Sequence, residues 1–309
     1  MRPVSDLSQD RGFLLGDGLF ETVRLYRGRP FRLADHLARL EKSANRIRIA
    51  YPEDVMGRVQ RALTEANCAG EGSLRITLTR GPGPGLLPPN PPMEPTLRVE
   101  VRPIHAAPGI LPDGSGSSGS GGVHESGLQE SGLVESGLEA RILGRVDETA
   151  LTAGMKGIGY LERITALLLA REAGAQEALL RNGAGRVVGG SASNLFVVRE
   201  GGLQTPRVED GVLPGITRQV VLELVGELGL GMELRAPEDV ELLGADEIFL
   251  TSSLRELTPV VRVDGKMMGS GRPGPVFQAL RSAFRGRVAR ELGFGEDRWR
   301  EAPRPSGEG

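Results

Sequence analysis

Three lysines are the candidates for amine chemistry in this chain of 309 residues: Lys42, Lys156 and Lys266. Lys42 lies on the polar face of a predicted helix, and Lys266 follows an Asp-Gly turn, so both are typical of solvated charge. Lys156 is different because the segment AGMKGIGY surrounds it with apolar and aromatic residues. Apolar surroundings lower the pKa of an amine, which is what covalent chemistry with an aldehyde requires.

The start of a predicted helix is a candidate anion site. The segment LPGITR predicts a helix that begins at about residues 214–217, where Ile216 and Thr217 would offer backbone amides and a hydroxyl. Many helices begin this way and bind nothing, so the pattern alone leaves both interpretations open. Arg39 is either a solvated helical residue, paired with an aspartate one turn earlier, or a clamp for phosphate. The hydroxyl cluster at residues 251–253 is also typical of an ordinary strand end.

Two further patterns are weaker candidates for a site. Residues 269–274 match GxGxxG, but they follow a hairpin, contain a proline and lack a βαβ unit, so we interpret them as a turn. Asp17 lies between two glycines and is better explained as a turn former than as a catalytic acid. The absence of a Gly-x-Ser-x-Gly elbow gives no support to a serine nucleophile.

Composition excludes several classes of function. The net charge of −2 and the absence of a basic stripe argue against nucleic-acid binding. A single cysteine, Cys68, excludes an intramolecular disulfide and a cysteine-based zinc cage, and the three histidines lie too far apart for a metal pattern. Apolar runs are too short to span a bilayer, and the N-terminus lacks the apolar core of a signal peptide. We expect a cytoplasmic protein without metal, nucleic-acid or membrane partners.

The elements that must position these residues alternate irregularly between helix and strand, which favours an α+β fold. In the first half, hydrophobic periodicity predicts strands over 20–26, 73–81 and 96–104 and helices over 33–47 and 52–67. In the second half it predicts helices over about 160–174, 214–228, 237–245 and 276–292, strands over 177–182, 186–190, 194–200, 202–206, 232–236 and 247–252, and a hairpin over 260–269.

Residues 108–140 differ in composition from the rest of the chain. A GSGSSGSGG segment is followed by the tandem repeat ESGLQ, ESGLV, ESGLE, whose period of five matches neither a helix nor a strand. Glycine in every unit weakens both structures. We predict no regular structure here, with a short lid that orders on binding as the alternative.

The segments on either side follow one another in the order of a known family. The chain resembles the class IV aminotransferases, the fold-type IV group of pyridoxal-phosphate enzymes, which includes branched-chain and D-amino-acid aminotransferases and 4-amino-4-deoxychorismate lyase. The segments that carry the resemblance are GDGLFETVRLYRGRPFRLADHLARLEKSA, LRITLTRG, MKGIGYLERITALLLAREAGAQEALL, SNLFVVREGGLQTP, VLPGITR and ADEIFLTSSLRELTPVVRVDG.

The resemblance implies an architecture. It places a small N-terminal α+β domain over residues 1–107 and a Gly/Ser-rich interdomain linker with the ESGL repeats over 108–146. A larger, barrel-like domain over 147–309 would bind the cofactor, and two copies of the chain would form a homodimer.

The resemblance also implies a role for each matched residue. Lys156 would hold pyridoxal 5′-phosphate as an aldimine and would carry the proton between substrate and cofactor. Tyr160 would approach the phenolate oxygen of the cofactor. Phe20 and Arg75 would line the substrate side. The residues that would hold the phosphate are Arg39, Ile216, Thr217 and Ser253.

One position departs from the family pattern. The family places a glutamate against the pyridine nitrogen of the cofactor, and this position falls on Gly189 in the segment RVVGGSASNLF. An acid there keeps the ring nitrogen protonated, so that the ring accepts electrons from the substrate. Glycine supplies neither charge nor side-chain hydrogen bond, which leaves Ser191, Ser193 or water as substitutes.

Three functions follow from the resemblance. The first is an aminotransferase that passes the amine of an amino acid to a 2-oxo acid. The second is a 4-amino-4-deoxychorismate lyase that releases pyruvate, because LRITLTRG followed by a Gly/Pro-rich loop is similar to that branch. The third is a weakly active or non-catalytic protein that binds pyridoxal phosphate, because Gly189 replaces the glutamate.

Overall fold

The computed structural model describes residues 7–87, 90, 93–104 and 136–295. Within these residues there are two β-sheets, and helices pack on both, as expected of an α+β fold. The first sheet is formed by β1 (Gly18–Tyr26), β2 (Arg29–Pro30), β3 (Gly72–Thr79) and β4 (Thr96–Pro103). The helices that accompany it are α1 (Arg11–Leu15), α2 (Leu33–Arg46) and α3 (Val55–Ala66), and a 3₁₀ turn at Leu7–Gln9 precedes them.

The first sheet is antiparallel, with the strand order β2-β1-β3-β4. Arg27 and Gly28 join β1 to β2, both with positive φ, as a type I′ hairpin turn requires. A Cβ atom on Gly28 would lie 2.3 Å from the carbonyl oxygen of Cys68, so glycine is required there. Alternating residues of the strands meet the apolar faces of α2 and α3 in one core. Its buried members include Leu19, Val23, Leu25, Leu37, Leu40, Val55, Val59, Leu74, Ile76 and Leu78.

The second sheet closes into a barrel. Its strand order is β10-β9-β8-β11-β12-β5-β6-β7, and β13 pairs with β12. Gly189 of β7 also pairs with Asn194 of β8, so that six strands form a closed ring. The strands are β5 (Leu138–Arg145), β6 (Glu177–Arg181), β7 (Val187–Gly190), β8 (Asn194–Arg199), β9 (Gly202–Thr205), β10 (Met232–Leu234), β11 (Glu247–Ser252), β12 (Glu256–Val263) and β13 (Lys266–Met267).

Helices pack on the outside of the barrel. They are α4 (Leu161–Glu172), α5 (Ile216–Glu227), α6 (Asp239–Leu243) and α7 (Pro275–Glu291), and a 3₁₀ turn lies at Val208–Asp210. Along β8, Leu195 and Val197 join the core inside the barrel, whereas Phe196 and Val198 join the core under α5 and α7. Tyr26 and Phe31 enter that second core from the first sheet. Shared apolar burial therefore connects the two halves of the chain.

The predicted helices and strands are present. The prediction of no regular structure over 108–140 is wrong at its end, because Leu138–Arg145 form β5 between β12 and β6. The same strand lies inside the predicted linker over 108–146. Residues 105–135, which contain the first two ESGL repeats and the first residue of the third, lie outside the described residues. The division into 1–107, 108–146 and 147–309 stays a prediction.

Candidate active site

A pocket of about 400 Å³ lies where the two sheets meet. β1 and β3 contribute one wall, and the barrel strands and the starts of α4 and α5 contribute the other. All eight residues predicted for the site line this pocket: Phe20, Arg39, Arg75, Lys156, Tyr160, Ile216, Thr217 and Ser253. The other two lysines, Lys42 and Lys266, are exposed elsewhere.

Strand β1 fixes the backbone of Lys156. The amide of Phe20 donates to the carbonyl of Lys156 (2.9 Å), and the amide of Ile158 donates to the carbonyl of Gly18 (3.1 Å). The Nζ atom of Lys156 then lies 3.2 Å from the hydroxyl oxygen of Tyr160. Main-chain pairing with a sheet strand thus directs one half-buried amine into the pocket.

The ring of Phe20 lies between charged groups. The guanidinium carbon of Arg75 is 3.9 Å from the ring centroid, and the Nζ atom of Lys156 is 4.3 Å from it. The ring of Tyr160 meets Phe20 edge-on, with centroids 5.3 Å apart. Cation–π contacts of this kind are worth about 0.5–2 kcal/mol each. Phe20 therefore covers the amine and orients the arginine beside it.

Two side chains hold the loop before α5. Nδ2 of Asn194 donates to the carbonyl of Leu213 (2.9 Å), and Nη1 of Arg39 donates to the carbonyl of Pro214 (2.6 Å). Gly215 is the N-cap residue of α5, and the backbone amides of Ile216 and Thr217 follow in the first turn. The positive end of the α5 dipole and the guanidinium of Arg39 therefore lie at the same part of the pocket wall.

A buried carboxylate anchors Arg39. Glu21 accepts hydrogen bonds from Nε and Nη2 of Arg39 (2.8 and 2.6 Å), and Nδ1 of His36 lies 2.7 Å from Oε2 of the same carboxylate. Burial alone would raise the pKa of Glu21, but the charge of Arg39 and the hydrogen bonds from both partners outweigh it and lower the pKa to about 2. Burial lowers the pKa of His36, and the charges of Arg39 and Lys156 add to this, against the effect of Glu21.

A family model for amino-transferase class IV matches residues 18–263, which is most of the chain. The chain belongs to the class IV aminotransferase family. A D-alanine aminotransferase of Bacillus licheniformis is 31% identical over 285 residues, which cover 92% of each chain. The branched-chain amino acid aminotransferase of Escherichia coli has a similar structure, with a TM-score of 0.80, 27% identity and coverage of 94% of this chain and 91% of that one.

Pyridoxal 5′-phosphate is the cofactor of class IV aminotransferases. A third relative, a branched-chain amino acid aminotransferase solved with pyridoxamine 5′-phosphate, matches with a TM-score of 0.76 and 26% identity, over 92% of this chain and 88% of that one. The pocket fits such a group. Lys156 offers an amine for an aldehyde, and the start of α5 and Arg39 suit a phosphate. The hydroxyl of Thr251, which lines the pocket, is buried and has no hydrogen-bond partner among the described residues.

The weaker candidates lie outside the pocket. Asp17 accepts hydrogen bonds from Nε of Arg11 and Nε of Arg80, both at 2.8 Å, and so fixes the chain before β1. The GxGxxG segment forms turns, and the carboxylate of Glu247 accepts from the first amides of α7, so a side chain already occupies that helix start. Among the residues described, no cluster of ligands could hold a metal ion, and no helix is long and apolar enough to cross a membrane.

Several residues that line the pocket were not predicted from the sequence. Glu177, at the start of β6, accepts from Ser191 and from the guanidinium of Arg255. Arg163 of α4 donates to the carbonyl of Ser191 (3.0 Å). Asn194 holds the loop before α5. No local signal marks these residues, because each is an ordinary polar residue of a strand, helix or turn.

Gly189 occupies the position at which the family resemblance expects a glutamate. Gly189 lies in β7, opposite Leu180 and Asn194, and is not one of the residues that line the pocket. A Cβ atom on Gly189 would lie 2.8 Å from the carbonyl oxygen of Ser193. Any side chain at this position therefore requires the backbone turn at residues 191–193 to move.

Proposed function

We propose that the chain transfers the amine of an amino acid to a 2-oxo acid, with Lys156 as its catalytic residue. The observation that carries the proposal is that one half-buried lysine amine shares a pocket with the N-terminus of α5 and with Arg39. When bound, pyridoxal 5′-phosphate supplies an aldehyde that takes up the amine and a ring that accepts the electrons left on the substrate carbon.

The phosphate would bind at the start of α5. The backbone amides of Ile216 and Thr217, the hydroxyls of Thr217 and Ser253 and the guanidinium of Arg39 would donate to it. The network of Glu21 and His36 supports this role, because it fixes Arg39 before any ligand arrives. A preorganised donor set loses little entropy on binding.

Lys156 would hold and move the proton at the substrate carbon. The hydroxyl of Tyr160, 3.2 Å from Nζ, restricts where the amine points and would also contact the cofactor. The ring of Phe20 excludes water from one side of the amine. Both contacts restrict the position of the amine, and a general base must lie within hydrogen-bond reach of the proton that it moves.

The substrate carboxylate would bind near Arg75. This residue projects from β3 over Phe20, on the side of the pocket that faces away from the barrel. A guanidinium is a suitable partner for a carboxylate because it offers a planar pair of donors.

Two alternatives remain testable. Pyruvate release is the second candidate, because a Gly/Pro-rich segment follows β3 as in the lyase branch. A protein that binds the cofactor with little catalysis is the third, because position 189 has no acid.

One experiment separates the three functions. Purified protein with pyridoxal 5′-phosphate would be given an amino acid with and without 2-oxoglutarate, or aminodeoxychorismate alone. Amine transfer that depends on the 2-oxo acid supports our proposal. Pyruvate from aminodeoxychorismate alone, or cofactor binding without either reaction, contradicts it.

We also propose a homodimer. Helix α4 exposes an apolar stripe, in which Leu161, Ile164 and Leu168 are 79, 52 and 55% exposed, and Ile164 also lines the pocket. A second copy of the chain would cover this stripe next to the active site. Sedimentation of the wild type should give twice the chain mass, and Leu168→Glu should shift it to the monomer. A monomeric wild type contradicts the proposal.

The cytoplasmic location stays a proposal, supported by a single cysteine that needs no oxidising compartment. Fractionation of cells that express the natural protein should recover it with cytoplasmic enzymes.

A further inference from the structure

The proposed roles leave one buried ion pair of the pocket unused. Glu177, at the start of β6, and Arg255, in the turn before β12, both line the pocket. The side chain of Glu177 is 1% exposed and that of Arg255 is 13% exposed, and Nη2 of Arg255 donates to Oε2 of Glu177. Burying such a pair carries a desolvation cost, so its position against a ligand pocket calls for an explanation.

The carboxylate of Glu177 is fully engaged on the protein side. Its Oε1 atom accepts from the amide of Ser191 (3.0 Å), the hydroxyl of Ser191 (2.5 Å) and the amide of Ala178 (3.1 Å), while Oε2 accepts from Arg255. Four hydrogen bonds from the protein are therefore distributed over the two oxygens of this nearly fully buried carboxylate.

Arg255 is therefore the member of the pair that a ligand can meet. Its backbone is fixed, because its amide donates to the hydroxyl of Ser252 (3.2 Å) and its carbonyl accepts from the hydroxyl of Thr258 (3.3 Å). Glu177 restrains one side of the guanidinium through Nη2. A guanidinium carries five N–H donors and has no acceptor, so the remaining donors suit an acceptor within the pocket.

The Glu177–Arg255 ion pair lies next to the C-terminal end of β7. A Cβ atom on Gly190 would lie 3.2 Å from Cδ of Glu177, and Ser191, which directly follows β7, binds the same carboxylate. The adjacent residue is Gly189, where the family resemblance expects an acid. At this end of the pocket the chain thus offers a cationic donor where an anionic acceptor is expected.

We propose that Arg255, positioned by Glu177, donates a hydrogen bond to the pyridine nitrogen of bound pyridoxal 5′-phosphate, so that this nitrogen binds without a proton. The inference rests on the proposed function, since it takes the phosphate to lie at the start of α5. A guanidinium cannot accept a proton and repels a pyridinium cation, so it selects the neutral ring. The ring would then be a weaker electron acceptor than in a site with an acid.

The test uses wild-type protein without cofactor and two probes, pyridoxal 5′-phosphate and its N-methyl derivative, in which the ring nitrogen is a permanent cation. Equilibrium dialysis should give an affinity for the N-methyl form lower by on the order of 10-fold or more, as expected when a charge-assisted hydrogen bond is replaced by repulsion. Equal or tighter binding of the N-methyl form overturns the proposal. If pyridoxal 5′-phosphate itself does not bind, both this proposal and the proposed function are overturned.

A second readout separates charge from the bulk of the methyl group. Pyridoxal 5′-phosphate labelled with ¹⁵N in the ring should show the unprotonated nitrogen signal when bound to the wild type at pH 6 and pH 8. The double variant Glu177→Gln/Arg255→Gln, which avoids an unpaired buried charge, should discriminate less between the probes, whereas the control Arg98→Gln, at an exposed arginine outside the pocket, should keep the discrimination. A protonated signal in the wild type, or unchanged discrimination in the double variant, contradicts the proposal.

Discussion

Glu21 of β1 and Arg39 of α2 form a buried, bidentate ion pair, in which Nε–Oε1 is 2.8 Å and Nη2–Oε2 is 2.6 Å. The pair uses the Nε–Nη2 edge of the guanidinium, and Nη1 donates to the carbonyl of Pro214 at 2.6 Å, so two of the five N–H donors of Arg39 remain for a ligand. The carboxylate of Glu21 therefore fixes the guanidinium of Arg39 beside the start of α5.

Glu21→Gln should weaken cofactor binding and stability together. The substitution leaves Arg39 partly unpaired in a buried place, which costs about 3–5 kcal/mol of unfolding free energy. The affinity for pyridoxal 5′-phosphate, measured by dialysis, should fall by roughly 10-fold or more, because Arg39 is no longer held. Asp54→Asn is the matched control, because Asp54 pairs with Arg61 on the surface, with both side chains more than half exposed. The control should change stability by less than about 1 kcal/mol. Equal effects of the two variants would refute the role of Glu21.

Acid should destabilise the fold in two steps. The folded-state pKa of His36 is below its unfolded value, so this contribution to stability is lost as pH falls below about 6.5. The pKa of Glu21 is about 2 in the fold and 4.5 in the unfolded chain, so its contribution is complete above pH 4.5 and is lost towards pH 2. Urea unfolding at pH 7.5, 6 and 5 should show falling stability, with a smaller slope in His36→Gln. An identical slope in the variant contradicts this account.

Thr251→Val should separate ligand binding from folding. The hydroxyl of Thr251 is buried without a partner among the described residues, so valine should leave the stability of the cofactor-free protein unchanged or raise it by about 1 kcal/mol. If the hydroxyl serves the cofactor, the affinity for pyridoxal 5′-phosphate should fall by about 10-fold. Ser193→Ala is the control, because its hydroxyl is equally unpartnered but Ser193 does not line the pocket. Unchanged affinity in Thr251→Val would exclude the hydroxyl from the site.

Arg75→Gln should act on the substrate alone. With the guanidinium over Phe20 removed, the KM for the amino acid should rise by roughly 10-fold, while the affinity for pyridoxal 5′-phosphate stays the same. Arg98→Gln on the neighbouring strand is the control, because Arg98 is exposed and pairs with Glu100. A rise in KM with both variants, or with neither, would remove Arg75 from the substrate side.

Local periodicity explains what the sequence could predict. Leu33–Arg46 repeats its apolar residues every three or four positions, and Glu247–Ser252 is a short apolar strand, so neither depends on a distant partner. The sequence does not predict the strand Leu138–Arg145, although Leu138, Ala140 and Ile142 alternate, because its first two residues belong to the third ESGL repeat and both of its pairings are parallel and distant in sequence.

The candidate site was predictable only where a family motif marked it. The family resemblance selects eight residues from both halves of the chain, and these eight residues line one pocket. The pairs Glu21–Arg39 and Glu177–Arg255 depend on tertiary contacts, the second over 78 positions, and neither residue type indicates its partner. A single sequence contains no information that links such positions.

Lys156→Ala removes the amine that we propose holds the cofactor and carries the proton. After reconstitution with pyridoxal 5′-phosphate, the wild type should show a violet-blue absorbance band that changes when an amino acid is added. Lys156→Ala should lack this band and lose at least about 10³-fold in transfer rate. Lys266→Ala, at an exposed hairpin position, should match the wild type in both respects. A full band and a full transfer rate in Lys156→Ala would show that Lys156 neither holds the cofactor nor carries the proton.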